Sequence, residues 1–546
     1  MTRLRFHPSL TSVLCVVIGA GLLVGAGLPA DSARAADDEQ GFVPLFDGKT
    51  LDGWEGDPRF WSVEDGAITG QTTEDNPTEH NTFLIWRQGK VDDFVLRFEY
   101  KLIGGNSGVQ YRSFQNPEWE QWVVGGYQAD FEAGDRYSGI LYGERFRGIL
   151  ADRGQKTVIG PNHKPKVVEQ FGDAAGLQQH VKKEEWNEYE ITARGYHFVH
   201  KINGQVMSEA TDEDTEMRRR CGIVAIQVHR GPPMKVQVRN IRLKRLPMED
   251  KKKIVLIAGP KSHGYGGHEH NAGCLLLAKW LNEGMPNVHA VVYRDGWPDD
   301  PTALDNADAF CVFADGGARH PVMPHLKEVD KLADQGVGIA MLHYGVEVPK
   351  GEPGDYFVDW IGGYFETDWS VNPHWTAKFE SFPDHPITRG VKPFEVEDEW
   401  YYHMRFRENM EGVTPVLTAV PPDSTRERPD GPHSNNPTVR ARKGMPEHLA
   451  WACERADGGR GFGFTGGHWQ WTWANDSFRT LVLNGLVWTA GLDVPPGGVP
   501  SPTPTMEALQ QNQDFPVPAP DARRPFDRQK WVDLLEQWKQ ESGGEE

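Results

Sequence analysis

Residues 251–273 read KKKIVLIAGPKSHGYGGHEHNAG, and this stretch decides the fold. Three lysines lead into an unbroken apolar run, Ile254 to Ala258, and a glycine-rich turn with His263, His268 and His270 follows. Residues 274–281, CLLLAKWL, then carry a helical pattern. A short run that apolar, closed by glycine and followed by a helix pattern, predicts a buried parallel strand opening an α/β unit. Upstream the chain consists of short alternating segments, and downstream strands alternate with helices. Two domains with separate chemistries are expected to meet here.

With 546 residues the chain exceeds one ordinary core. A net charge of −20 argues against a nucleic-acid partner. The 19 Trp, 60 Gly and 39 Pro give flat surfaces and tight turns that suit carbohydrate, although tryptophan is also an ordinary core residue. Arg3 and Arg5 precede an apolar stretch from Leu10 to Leu28, and Ala33-Arg34-Ala35 offers small residues for cleavage. Residues 1–36 are therefore expected to be a signal peptide, with the protein exported to the periplasm or beyond and meeting a membrane only in transit. A retained anchor is the competing reading, since the apolar stretch is almost long enough to span. The remaining cysteines, Cys221, Cys274, Cys311 and Cys453, are too few for a disulfide scaffold.

From residue 41 to 247, segments such as FVLRFEYKL, SGVQYRS, GYQADF, YEITARG and KVQVRNIRLKRL alternate with a period near two between turn residues. This pattern predicts an all-β sandwich of jelly-roll type. The features FVPLFDGKTLDGW, GNSGVQYRS, GYQADF, SGILYGE, WNEYEI, HKING and AIQVHRGPPMKVQVRNIRLKRL, in that order, resemble the 3-keto-disaccharide hydrolase domain family, which has a concanavalin-like sandwich. The resemblance implies a substrate whose C3 ketone acidifies the C2 proton. Removing that proton gives an enolate that expels the C1 group, after which water can add back. Such a site needs a base, a donor to the enolate oxygen and an acid for the leaving oxygen, and no redox cofactor. Many family members carry glutamate where this chain has Gln128, so the base would fall to another residue. Asp130, Glu144 and His229 are the candidates for proton transfer, with Asn106, Arg112, Gln128 and Gln227 binding substrate. Gln128 and Asp130 share a strand face, as do Gln227 and His229. Glu144 lies near Arg145, Arg147 and Arg153, which read equally well as a surface ion-pair lattice, and His229 reads equally well as a structural histidine. His200 and Asn203 read as strand and turn residues.

Residues 251–492 add the apolar segments VHAVVYR, DAFCVFADGG, GVGIAMLHYG and GFGFTGGHW, with helical patterns between them. A mainly parallel sheet covered by helices follows, with ligands expected beyond the carboxyl ends of its strands. Those ends carry His263, His268, His270, His320, His343 and His468. Clustered imidazoles suit a metal or a sugar, but their spacing matches no compact zinc signature, so no metal ligands are assigned and a divalent ion stays open in either domain. The alternative is that glycine-flanked histidines cap strand ends. GIAMLHYG, HPITRGV, EDEWYY, GFGFTGGHW and LNGLVWTAGL resemble the trehalose-utilisation (ThuA-like) family, whose fold is like that of class I glutamine amidotransferases, a flavodoxin-like arrangement. The turn Leu342-His343-Tyr344-Gly345 has no cysteine where an amidotransferase holds its nucleophile, so glutaminase activity is not expected. Glu397, Asp398 and Glu399 either add carboxylates to this site or form a solvated charge run. Residues 421–443 read as an exposed insertion. Residues 493–546 read as a proline-rich linker and an amphipathic helix on which Trp531, Leu534, Leu535 and Trp538 recur at helical spacing.

The sequence thus points to an exported enzyme that cleaves keto-glycosides, its partner a small keto-sugar, with a keto-sugar-associated second domain. The competing class is a non-catalytic secreted carbohydrate-binding protein.

Overall fold

The structure, a computed structural model, describes residues 39–523 and 525–541, and the expected signal peptide over residues 1–36 lies outside them. The first domain is a β-sandwich of two largely antiparallel sheets. In one, strands Asn187–Arg194, Phe94–Ile103 and Lys235–Arg245 lie side by side at the centre. The other runs in the order Gly148–Ala151, Leu141–Glu144, Gly125–Glu132, Asn106–Phe114, Ile223–Val228, Thr82–Trp86 and Trp54–Glu55. Leu96, Phe98 and Tyr100 from the first sheet share one apolar core with Tyr127, Ala129 and Phe131 from the second. The rings of Tyr100 and Phe131 stack across it with centroids 4.1 Å apart. Burying a side chain such as Phe98 or Phe131 contributes roughly 1.5–3 kcal/mol. Because alternate residues face opposite ways, placing Tyr127, Ala129 and Phe131 in the core turns Gln128 and Asp130 to the other face.

The second domain is built on a sheet in the order Val288–Tyr293, Lys252–Ala258, Ala309–Phe313, Gly338–Leu342, Arg460–Phe464, Glu447–Glu454 and Val413–Ala419. The first five strands are parallel and the last two antiparallel, which makes the sheet mixed. The opening strand is apolar throughout because both its faces are covered. Ile254, Leu256 and Ala258 pack with helices His270–Gly284 and Asp476–Thr489, whereas Val255 and Ile257 pack with helices Leu326–Asp334 and Glu352–Ile361. Cys274 lies in helix His270–Gly284, and Cys311 and Cys453 lie in strands; these three and Cys221 are all free thiols. Among the described residues no helix is long and apolar enough to cross a membrane.

A buried charge network joins the two domains. The Asp92 carboxylate accepts from Lys253 Nζ at 2.8 Å and from Arg245 Nη1 at 3.1 Å, and Arg245 Nη2 reaches Asp300 at 2.7 Å. Asn306 donates to Asp92 at 3.1 Å and accepts from Lys253 at 2.7 Å. Burial opposes the charge on Asp92, but Lys253 and Arg245 outweigh it and hold the carboxyl well below the usual range. The third lysine of the opening stretch is therefore an internal counter-ion.

Two peripheral segments are tied into the body of the protein. The stretch 421–443, expected to be an exposed insertion, buries Arg426, which pairs with Glu447 at 3.2 Å, and Asn435, whose amide holds the carbonyls of Arg426 and Arg428. A side chain that bonds two backbone carbonyls fixes the turn between the short helices Asp423–Arg426 and Pro437–Arg440. The tail helix, Arg528–Glu541, docks on its own chain: Trp531 meets Trp471 at 5.9 Å, and Phe526 stacks on Trp471 at 4.8 Å.

Candidate functional site

The first candidate site is the polar face of the seven-stranded sheet. Gln110, Gln128, Asp130 and Gln227 are all at most 5% exposed. Gln110 Nε2 donates to Gln128 Oε1 at 2.5 Å, and Gln128 Nε2 lies 3.3 Å from Gln227 Oε1 and 3.4 Å from Asp130 Oδ1. Ser113 Oγ donates to Gln110 at 2.7 Å and fixes the direction of this amide chain. Gln227 Nε2 is buried without a partner. Burial pushes the Asp130 carboxyl well above its ordinary range, against hydrogen bonds from Asn106 and Gln128 and with Glu132 and Glu144 reinforcing the rise. The shift favours the neutral form of Asp130, which can donate. Glu144 is nearly buried and accepts from Asn81 Nδ2 at 3.0 Å. His229 is half-buried just beyond strand Ile223–Val228, and its backbone N–H meets Met234 Sδ at 3.3 Å.

Arg112 does not belong to this face, and its expected role as a substrate donor is corrected. A register shift between Tyr111 and Phe114 and a φ of 46° at Arg112 turn its side chain into the protein. There it is fully buried, pairing with Asp93 at 2.7 Å and donating to the carbonyls of Asp92 and Gly195. The neighbours of Glu144 are structural too. Arg147 pairs with Asp212 and Asp214, Arg153 donates to the carbonyls of Ala174, Ser138 and Asp135, and Arg145 sits over Trp119. His200 lies buried between the hydroxyls of Tyr111 and Tyr189.

The second site lies at the carboxyl ends of the parallel strands. His268, His343, His468 and Glu399 offer ligand atoms that all lie within 4.8 Å of one another. His268 Nε2 is 3.0 Å from His468 Nδ1 and 3.1 Å from His343 Nε2. Glu399 Oε2 is 3.1 Å from His468 Nδ1, 3.5 Å from His343 Nε2 and 3.9 Å from His268 Nε2. Each ligand comes from a different local device. His343 follows strand Gly338–Leu342 with a φ of 52°, His268 has a φ of 51° in the glycine-rich turn, and Glu399 ends strand Phe394–Glu399. His468 is held by its backbone N–H, which shares the Asp398 carboxylate with Gly467 N–H at 3.1 and 2.7 Å. Burial opposes the Glu399 charge, yet the imidazoles of His268, His343 and His468 hold the carboxyl far below its usual range. Burial also opposes protonation of His268, but Asp315 and Glu399 raise its pKa; burial lowers His468 to about 3. These residue types in this arrangement can hold a divalent cation.

The other strand-end histidines divide. His263 stacks on His268 with ring centroids 3.6 Å apart, at the edge of the cluster. His270 is buried and lowered to about 3 by desolvation; its Nδ1 faces the Pro260 carbonyl and its Nε2 lies 3.6 Å from Asp315. His320 stands apart and is removed from the site: it caps backbone, with Nε2 to Gly345 O at 3.0 Å and Nδ1 accepting from Val322 N–H. Two participants were missed or left open in the sequence. Asp315, just beyond strand Ala309–Phe313, binds His268 Nδ1 at 2.7 Å, and its place at a strand's carboxyl end was the available signal. Glu399 was one of three acidic residues with nothing to choose among them until the strand register was known.

Two family models match this chain. Residues 41–244 match the 3-keto-alpha-glucoside-1,2-lyase-like domain, and residues 257–489 match the trehalose utilisation family, ThuA. A 3-keto-disaccharide hydrolase of Bacteroides thetaiotaomicron is 36% identical over 89 residues, which cover 15% of this chain and 30% of that protein. The chain thus spans under a third of that relative's length. Among solved structures, a candidate glycosyl hydrolase from Parabacteroides distasonis aligns over 39% of this chain and 96% of its own, at 20% identity and a TM-score of 0.27. A ThuA-like protein from Parabacteroides merdae aligns over 45% and 92%, at 15% identity and a TM-score of 0.32. The chain therefore joins a 3-keto-disaccharide hydrolase-like domain to a ThuA-like domain.

Proposed function

We propose that the sandwich cleaves 3-keto-glycosides by removing the C2 proton and eliminating the C1 substituent. The observation that carries this reading is a buried carboxyl at Asp130, its pKa raised by that burial, beside an unpaired amide donor at Gln227, on the polar face of a domain matched to keto-glucoside lyases. Elimination at neutral pH needs a base for C2–H, a donor for the enolate oxygen at C3 and an acid for the departing O1. The Glu144 carboxylate is assigned the base and takes the C2 proton. The free N–H of Gln227 stabilises the enolate oxygen, and preorganised donors of this kind act strongly where water is excluded. Asp130 gives its proton to O1 as the C1–O1 bond breaks, leaving an unsaturated keto-sugar. Adding water across C1=C2, with its proton delivered to C2, yields the free 3-keto-sugar, and the overall result is then hydrolysis. His229 is assigned contact with the departing group. The export address and the keto-sugar role of the second domain belong to the same reading. A glutaminase is not supported, because His343 occupies the turn where a cysteine nucleophile would stand.

The test is release of aglycone from a 3-keto-glucoside, with the unoxidised glucoside as control. Wild type should cleave only the keto compound, and Asp130→Asn, which keeps shape and neutrality but removes the acid proton, should lose about 10²–10⁴-fold in rate. If wild type binds the keto-glucoside and cleaves neither compound, the domain is a carbohydrate-binding module and the catalytic reading fails.

A further inference from the structure

The histidine cluster of the second domain has a protonation pattern that a cation resolves. His343 Nδ1 lies 2.8 Å from the Thr465 carbonyl, which accepts only from an N–H, so the ring proton sits on Nδ1. His268 Nδ1 lies 2.7 Å from the Asp315 carboxylate, which likewise draws a proton there. In the neutral rings both Nε2 atoms then carry lone pairs, and these face each other at 3.1 Å. His468 Nδ1 meets the same point from a third direction, at 3.0 Å from His268 Nε2 and 3.1 Å from Glu399 Oε2. A proton added to His268 Nε2 can point at only one of these two nitrogens. Outer hydrogen bonds that fix the tautomer and turn the free nitrogen inward are what metal-binding histidines require.

We propose that His268, His343, His468 and Glu399 bind one divalent transition-metal ion, and that this ion takes the adjacent ketone and hydroxyl oxygens of a 3-keto-sugar as further ligands. Three imidazoles and one carboxylate suit the ions from manganese to zinc and disfavour calcium and magnesium, which take oxygen donors. Four protein ligands leave two positions on an ion of octahedral preference, the number a vicinal hydroxyketone fills. Glu399 lines an open cavity of about 490 Å³ whose other walls include Asn372, His374, Ser424, Thr425 and Arg428, a polar set matched to sugar hydroxyls. Arg428 Nη1 is buried there without a partner. Tyr401 OH, 3.3 Å from His343 Nε2 and 3.2 Å from Glu399 Oε2, adds a hydroxyl donor beside the ion. The sugar assignment rests on the proposed keto-glycoside chemistry of the sandwich, since its product is the ligand named here; the metal assignment does not.

The experiment uses the full chain, stripped with a chelator and titrated with cobalt(II) while the visible d–d bands are followed. One equivalent should bind. Asp315→Asn should weaken it by about 10–100-fold, as losses behind a ligand do, and the near-isosteric Glu399→Gln and His468→Gln should weaken it further while their metal-free melting matches wild type. Adding 3-keto-glucose should then shift the bands, and glucose should not. Absence of stoichiometric cobalt, or unchanged binding in Glu399→Gln and His468→Gln, overturns the metal site whatever the sandwich does. Cobalt bound as expected with no response to 3-keto-glucose overturns the ligand assignment alone. The aglycone-release assay independently reports on the sandwich.

Discussion

Asp92→Asn tests the idea that the two domains form one cooperative structure. In the wild type, Lys253 and Arg245 both pair with Asp92, and the side chains of all three are at most 1% exposed. After the substitution Arg245 keeps Asp300 at 2.7 Å, but Lys253 keeps only the neutral Asn306. One buried ammonium is thereby left without a counter-ion, a change that costs about 3–5 kcal/mol when a single partner of a buried pair is removed. Because only one of the two cations is stranded, the lower part of that range is expected. Lys253→Met in the same background removes the stranded charge, so the double variant should recover most of the loss. The sign with pH follows from the depressed carboxyl of Asp92. Its contribution is present above the unfolded value of about 4 and is lost as pH falls through the lower folded value. Urea unfolding at pH 7, followed by far-ultraviolet circular dichroism and by tryptophan fluorescence, gives the measurement. A loss below about 1 kcal/mol, the scale of an exposed pair, or a double variant no more stable than the single one, refutes the reasoning.

Arg112→Met should behave as a structural lesion: it leaves the buried Asp93 with Arg220 at 3.1 Å and the Gly195 N–H at 3.0 Å, should cost about 3 kcal/mol, and should leave the KM for keto-glucoside unchanged in the folded fraction. Glu269 gives the tail a pH dependence. Burial, with Asp514 adding to it, raises its carboxyl to about 7 against hydrogen bonds from the N–H groups of Asp514 and Gly266. A raised acid favours the folded state most below its unfolded value and loses that advantage as pH climbs through the folded one. The tail should therefore be cut by protease faster at pH 8 than at pH 5, and Glu269→Gln should flatten the difference.

Much of the architecture was legible because it rests on periodicity. The unbroken run Ile254–Ala258 is apolar since helices cover both faces of its sheet, and GYQADF alternates since one face meets a core. The convergence of His268, His343 and His468 followed from parallel strand ends, although 200 residues separate the first from the last. Sequence could not separate His320 from them, because a histidine capping backbone and one facing a cluster leave the same trace beside a glycine. Arg112, chosen because it follows the GNSG turn, was misplaced because a bulge and a positive φ turn its side chain into the protein. Lys253 passed for a lead-in residue because its partner Asp92 belongs to a different domain. Glu399 and Asp315 depended on register, which periodicity alone does not give.

The glycine-rich turn that carries His268 is finished by residues from the far end of the chain. Gly266 N–H is met by Gln513, 247 positions later, and Tyr265 by Gln510 and Phe526. A polypeptide is made from its amino end, and domains tend to fold as they emerge. The strands of the sandwich end at Arg245, so they are all made before the segment that backs the turn. The turn beside His268 therefore gains its backing only once residues 510–526 have been made.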